Sequence, residues 1–338
     1  MHDARLRPRP GLRLSRRSFM TAAASVAAFG RVGATPAAAL DYPIKPVRIF
    51  VPYGPGGVGD LTMRVMADKL GTELKQQFVI ENRPGAGGIM AMTEARRGRA
   101  DGYTLAEIGN GQAISASLFT KLPFDVLQDF VPVSVAASFE MLLAVPAASP
   151  HKSLKDVVEA AQKNPGKLNL GAINPGSTQN LSAHLFQQVT GAQYTIITYR
   201  TTPDLVTALL RGDVNLGFDY YAGLVGEIAD GRLRIIATSD EERDPLLKDV
   251  PTAKESGFPQ YVVTSWNGVA GPKGLPDEIA QALSVAINRA LAAPDVQEKM
   301  SRLGIQARGS TPQQMRDRLV RDIAKWRQVI DKAGIPKQ

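Results

Sequence analysis

Cysteine is absent from the 338 residues. In an oxidising compartment that excludes disulfides, thiol catalysis and Cys-ligated metals. Histidine is nearly absent too, at three. His2 lies in the basic leader, His151 among Ser and Pro in a loop, and His184 on an expected helix, where it reads as a helix-face residue rather than a catalyst. None of H-E-x-x-H, G-x-S-x-G or G-x-x-x-x-G-K-[ST] occurs, which removes the usual signatures of zinc proteases, α/β-hydrolases and P-loop enzymes. There is no internal repeat, no low-complexity tract and no interior apolar run long enough to span a bilayer. A dense basic face is also missing. The formal charge of +8 comes mainly from seven arginines within residues 1–39, and the remainder holds 33 basic against 31 acidic residues. Nucleic-acid binding is therefore not expected.

Residues 1–39 have the shape of a cleaved export signal. Arginines over 5–17 precede the apolar stretch TAAASVAAFG, and Ala37 and Ala39 give a small-x-small site before Leu40. Ser15-Arg16-Arg17-Ser18-Phe19-Met20 resembles the twin-arginine export motif, so the mature protein is expected in the periplasm.

From Val47 onward, short apolar runs alternate with helical patterns, which predicts parallel sheets flanked by helices. VRIFVP, FVI and TLAEIG belong to a first series, with helices expected over about 60–74, 86–99 and from 112. MLLAVP opens a second series, with helices expected over about 153–164, 178–190, 203–211 and 222–230. The first series has few strands of its own, so YVVTSWNGVAG and the terminal helices are expected to return to it. The division is then residues 40–141 plus 262–338 for one lobe and 142–261 for the other, with two chain crossings as a hinge.

The stretch YGPGGVGD, residues 53–60, joins an apolar run to a helix. Gly54, Gly56 and Gly59 fit G-x-G-x-x-G, and Glu81 follows at about the distance of a ribose-binding carboxylate. An exported oxidoreductase using the Gly54–Gly59 loop is thus one reading. Against it, Pro55 takes the second motif position, Asn82 to Gly88 forms another glycine turn, and no catalytic set accompanies the loop. The other reading needs no cofactor: the first turn of a helix has unpaired N–H groups and partial positive charge, and glycine lets a small anion approach them. Asp60 is expected to cap that helix. A comparable turn, Asn174-Pro175-Gly176-Ser177-Thr178, follows the strand KLNLGAI. One such turn per lobe can hold opposite ends of a short dianion across a cleft. Phe218-Asp219-Tyr220-Tyr221 reads equally as a cleft floor or a buried capped turn, and Trp266 and Trp326 read as core.

Many phrases, in order, match one family. YPIKPVRIFVPYGPGGVGD, VIENRPGAGG, ADGYTL, FDVLQDFVPVS, SLKDVVEAAQKNPGKLNLGA, ALLRGDVNLGFD, DGRLRIIATS, VPTAKESGFP and AKWRQVIDKAGI resemble the substrate-binding proteins of tripartite tricarboxylate transporters, often called Bug-type receptors. The resemblance covers about residues 41–336. It implies an α/β type II periplasmic binding protein with two lobes, a central cleft and a two-strand hinge. It further implies a monomer that is not an enzyme and needs no cofactor or metal, capturing a small carboxylate for membrane permease subunits or a sensor protein. The site residues it implies are Gly56, Gly57 and Asp60 in the first loop, Asn110 in a third segment, Gly176, Ser177 and Thr178 in the second loop, and the turn Tyr199-Arg200; Tyr53 and Asp219 are expected beside them. The chain departs from the pattern at Gly59, Ile89 and Thr201, which stand where Thr, Asn and Gly are usual. Arg200 reads either as a bidentate carboxylate clamp or as a solvated loop residue.

Overall fold

The structure, a computed structural model, describes residues 41–173 and 176–338. The export signal expected over residues 1–39, and Asn174 and Pro175 of the second loop, lie outside the described residues.

Two sheets organise the chain. In the first, β1 (Val47–Val51), β2 (Phe78–Asn82), β3 (Thr104–Gly109), β4 (Phe130–Glu140), β10 (Thr264–Pro272) and β11 (Gln306–Ala307) lie in the order β11-β4-β10-β3-β1-β2. In the second, β5 (Leu142–Pro146), β6 (Asn169–Ile173), β7 (Thr195–Tyr199), β8 (Leu216–Asp219) and β9 (Leu233–Thr238) lie in the order β7-β6-β8-β5-β9. The first sheet carries helices α1 (Val58–Leu74), α2 (Ile89–Arg97) and α3 (Asn110–Leu118). Between strands of the second run α4 (Leu154–Lys163), α5 (Thr178–Thr190), α6 (Thr202–Arg211) and α7 (Tyr221–Ala229). The chain ends in α8 (Asp277–Ala292), α9 (Pro294–Ser301) and α10 (Pro312–Ala333).

The parallel expectation holds for only part of each sheet. β1 runs parallel to β2 and β3, and β6 parallel to β7 and β8. By contrast β10 is antiparallel to β3 and β4, and β5 is antiparallel to β8 and β9. The cause is connectivity. β4 passes into β5 through Met141 alone, and β9 returns to β10, so these strands enter each sheet from the side where its parallel strands end. No crossover helix is needed for an antiparallel neighbour.

The two crossings are laced together. Met141 donates its N–H to Ser239 Oγ at 2.8 Å, and the Ser239 hydroxyl donates to the Val263 carbonyl at 2.5 Å. Ser239 N–H returns a bond to the Met141 carbonyl at 3.0 Å. Behind them lies α10. A capping box between Thr311 and Gln314 starts this helix, Pro312 takes its first turn, and Gly334 ends it in the left-handed region at φ 61°. Met315, Leu319, Ile323, Trp326 and Ile330 recur at helical spacing and are buried. That stripe packs α10 on α3, β4 and α5, so one helix touches elements of both sheets. One apolar cluster accordingly runs from Phe50 and Ile108 through Trp266 and Trp326 to Leu143 and Phe186. Truncating a buried residue such as Trp326 to Ala costs about 3–5 kcal/mol by general experience.

Candidate functional site

β1 delivers the chain to the first loop. Gly56 takes φ +84°, a left-handed conformation that favours glycine, and donates its N–H to Asp60 Oδ2 at 2.8 Å. Asp60 also accepts from Asn82 Nδ2 at 2.8 Å and from Arg64 Nε at 3.0 Å. The expectation that Asp60 caps α1 is corrected by this geometry. The N-cap is Gly57, which has no side chain to accept, and Asp60 is the third helical residue. Side chains on a helix lean toward its N-terminus, so Asp60 reaches back to Gly56 instead. Desolvation acts to raise its carboxyl, but the bonds from Arg64, Gly56 and Asn82 outweigh it and hold the group below its ordinary value. Asp60 thus shapes the loop. The amides of Gly57, Val58 and Gly59 have no acceptor among the described residues and remain available.

The second loop repeats the device. Gly176 takes φ +76° and donates its N–H to Asn180 Oδ1 at 3.1 Å. Ser177 caps α5, accepting from Asn180 N–H at 3.1 Å and donating to the Ile173 carbonyl at 2.5 Å. In each loop a polar residue four positions after the glycine is pinned to the neighbouring edge strand. Asp60 is held by Asn82 of β2, and Asn180 Nδ2 donates to Thr198 Oγ1 of β7 at 3.2 Å. The two turns are equivalent structures on different sheets.

Asn110 joins them. It opens α3, and its Nδ2 donates to Thr178 Oγ1 at 2.9 Å while its Oδ1 accepts from Trp326 Nε1 at 2.7 Å. Tyr53 lies across the starts of α1 and α3, because a Cβ on Gly59 would fall 2.8 Å from its ring and a Cβ on Gly111 would strike its hydroxyl. The missing side chain at Gly59 is what lets the ring lie there. Tyr53 remains 38% exposed, yet desolvation and the nearby Glu107 and Tyr220 push its phenol well above the usual range. From the second sheet, Tyr220 stacks edge-on against Phe139 at 4.9 Å. Burial pushes its hydroxyl up to about 12, opposed by bonding to Ser265 and Thr178. The N-termini of α1, α3, α5 and α7 therefore meet, and their partial positive charge favours an anion.

The other expected residues are placed differently. Arg200 is exposed and Tyr199 half-buried, and no contact brings either to the first loop among the described residues. The absent glycine leaves Thr201 to cap α6, accepting from Asp204 N–H at 3.3 Å. Asp219 is the buried capped turn rather than the cleft floor. It accepts from Gln179 Nε2 at 3.1 Å, Thr202 Oγ1 at 2.5 Å and Tyr220 N–H at 2.8 Å. Glu81, the acid a dinucleotide would require, faces Arg48 at 3.6 Å and Arg83 at 3.1 Å. Among the described residues no group of three His, Asp or Glu is gathered to hold a metal ion. A separate crevice of about 210 Å³, lined by Asp244, Gln297 and Gln306 among others, shares no residue with the two loops.

Sequence reasoning named Tyr220 only within a possible cleft floor, missed Trp326 as the residue that orients Asn110, and missed Glu107 and Asn267 altogether. One signal was present for Glu107: a single acid in the otherwise apolar strand TLAEIG, three residues before Asn110.

Known proteins share this fold. The tripartite tricarboxylate transporter family receptor pattern matches residues 62–335. Protein BugT of Bordetella pertussis is 32% identical over 303 residues, 89% of this chain and 93% of that protein. An R. palustris protein solved with adipate superimposes with a TM-score of 0.77 at 32% identity, covering 88% of this chain and 99% of that one. The MatC protein of Rhodopseudomonas palustris, solved with bound malate, gives a TM-score of 0.72 at 29% identity, covering 86% and 100%. The two-sheet α/β fold is that of two-lobed periplasmic binding proteins.

Proposed function

The chain belongs to the tripartite tricarboxylate transporter family of receptors, and we propose that it is a periplasmic solute-binding protein that captures a small carboxylate reversibly and presents it to membrane permease subunits. The observation that carries this is the pair of equivalent glycine turns, one opening α1 with free amides and the other opening α5, where Thr178 is bonded to Asn110 of α3. Relatives solved with adipate and malate support the same class of solute. The lobes are residues 40–141 plus 262–338 and residues 142–261, hinged at Met141 and Ser239. Closure brings both turns onto one solute. Binding therefore shifts the equilibrium toward the closed form, because only that form offers contacts from both lobes. Gly57, Ser177 and Thr178 act through their backbone N–H groups, Gly56 and Gly176 shape the turns that present them, and Tyr53 covers the solute from the side. Micromolar affinity corresponds to about 8 kcal/mol, within reach of several charge-assisted N–H bonds in a dry cleft.

The test is native mass spectrometry of protein from its own host, followed by calorimetry against di- and tricarboxylates, aromatic acids and amino acids. A co-purified acid that binds on re-addition is the expected result. No retained acid, and no heat with any class, overturns the reading.

A further inference from the structure

Two glycines beside the first loop are not explained by their own backbone. Gly59 and Gly111 are each the second residue of a helix, α1 and α3, and neither has a positive φ. Alanine is the better helix former, so what glycine supplies at these positions is space. One side chain fills both spaces. A Cβ on Gly59 would fall 2.8 Å and 3.1 Å from two ring carbons of Tyr53. A Cβ on Gly111 would strike the Tyr53 hydroxyl, while the carbon that bears it would stay at 3.6 Å. The ring therefore lies in a seat that runs from α1 to α3.

The seat has no slack elsewhere. The Tyr53 main chain is fixed, because its carbonyl accepts from Asn82 Nδ2 at 3.0 Å. The floor is filled as well. Glu107 Oε1 would lie 3.6 Å from a Cβ on Gly59, and Glu107 and Asn267, diagonal neighbours across β3 and β10, are each 1% exposed. A methyl at either glycine is accommodated by turning the ring about its side-chain bonds, away from the first sheet. That direction leads toward Tyr220, which approaches Tyr53 from the second sheet and is held against Phe139. The seated ring also runs along the site. Its edge lies at Gly59, among the free amides of α1, and its hydroxyl lies at Gly111, one residue from Asn110, which bonds Thr178 of α5.

We propose that Gly59 and Gly111 set the size limit of the solute: by seating Tyr53 against the first sheet they keep its ring out of the space between the two loops, and so admit an acid that a side chain at either position would exclude. This rests on the carboxylate-binding reading given above and adds determinants of selectivity to it. Both glycines act here through the ring, as positioning residues.

Calorimetry with the linear diacids from malonate to sebacate tests this, using Gly59→Ala, Gly111→Ala and Tyr53 variants alone and combined. Wild type is expected to bind at least two of these lengths. Each glycine-to-alanine variant is expected to weaken the longest acid that wild type binds by about tenfold or more, and the shortest by less. Tyr53→Phe is expected to restore the long acid in Gly111→Ala, because it removes the atom that the methyl strikes. The same change is not expected to restore it in Gly59→Ala, where the methyl meets ring carbons; Tyr53→Ala, which removes the ring, is expected to do so. Tyr53→Ala alone is expected to extend the range to longer acids, and no extension overturns the proposal whether or not the glycine variants fold. Equal weakening of every length, or the same effect of Tyr53→Phe in both backgrounds, overturns it while the carboxylate reading stands. So does a wild type that carries a co-purified acid yet binds fewer than two of the diacids. Binding to no acid at all removes both.

Discussion

Asn110 Nδ2 donates to Thr178 Oγ1 at 2.9 Å, a bond between the first residue of α3 on one sheet and the first residue of α5 on the other. Both side chains are buried, and the Trp326 indole fixes the Asn110 amide from behind. On the proposed division into lobes this bond crosses from one lobe to the other, so it is expected to favour the closed form.

Replacing Asn110 with Ala leaves Trp326 Nε1 without its acceptor and removes the bond to Thr178. The expected outcome is a larger radius of gyration by small-angle scattering without solute, and about tenfold weaker binding. An unchanged profile with unchanged affinity would show that the bond plays no part in closure.

Gly176 and Gly191 separate strain from contact. Both lie in the left-handed region, at φ +76° and +64°. A Cβ on Gly176 strikes Leu118 of α3, whereas a Cβ on Gly191 meets nothing within 4 Å. Each Ala substitution is expected to lower stability by about 1 kcal/mol. Only Gly176→Ala is expected to weaken solute binding, by about tenfold, because the added methyl obstructs the approach of α3 to α5. Equal affinities for the two variants in calorimetry would contradict this.

Asp60 gives an acid-sensitive contribution. Its folded carboxyl is held below the ordinary value, so its stabilisation is present above the unfolded pKa near 3.9 and is lost as pH falls through the folded value. Arg64, its ion-pair partner, is 46% exposed, which limits the ion-pair part. Asp60→Asn is expected to cost about 1–3 kcal/mol at pH 7, with the difference from wild type shrinking as pH falls below the unfolded value. Melting temperatures across that range check both the magnitude and the direction.

Glu140 has the opposite sign. It ends β4 beside the crossing, and desolvation pushes its carboxyl up to about 7, with Asp244 and Asp240 adding to the rise. Arg318, the cation nearby, donates instead to Ser138 Oγ at 3.2 Å and to the Thr264 carbonyl at 3.3 Å. A raised acid stabilises the fold fully below its unfolded pKa, and that stability is lost as pH rises through the folded value. Glu140→Gln is expected to melt above wild type at pH 8, by about 2–3 kcal/mol, and to converge with it near pH 4.5. Parallel melting curves at the two pH values would rule out the buried acid.

Local signals made much of the fold legible. Thr311-Pro312 and Gly334 mark the ends of α10 in the sequence itself, and Gly56 and Gly176 mark strand-to-helix turns because only such residues accept the backbone there. What depends on distant partners was not legible. Nothing local says that Asp60 would reach back to Gly56, since Arg64 and Asn82 fix it. The antiparallel entry of β5 and β10 depends on where the chain crosses between sheets, which alternation does not encode. Glu107 and Asn267 become neighbours only through the pairing of β3 with β10. Tyr53 lies over α1 and α3 because Gly59 and Gly111 leave room, two absences that a search for chemical groups passes over.

The central claim is that main-chain amides at two opposed helix starts hold the solute. Amide resonances of Gly57, Val58, Gly59 and Thr178 in isotope-labelled protein, followed by NMR as the co-purified acid is added back, test it most directly. The account predicts downfield proton shifts at residues of both loops, with one midpoint that equals the calorimetric affinity. Saturable binding that leaves these four amides unmoved would contradict it.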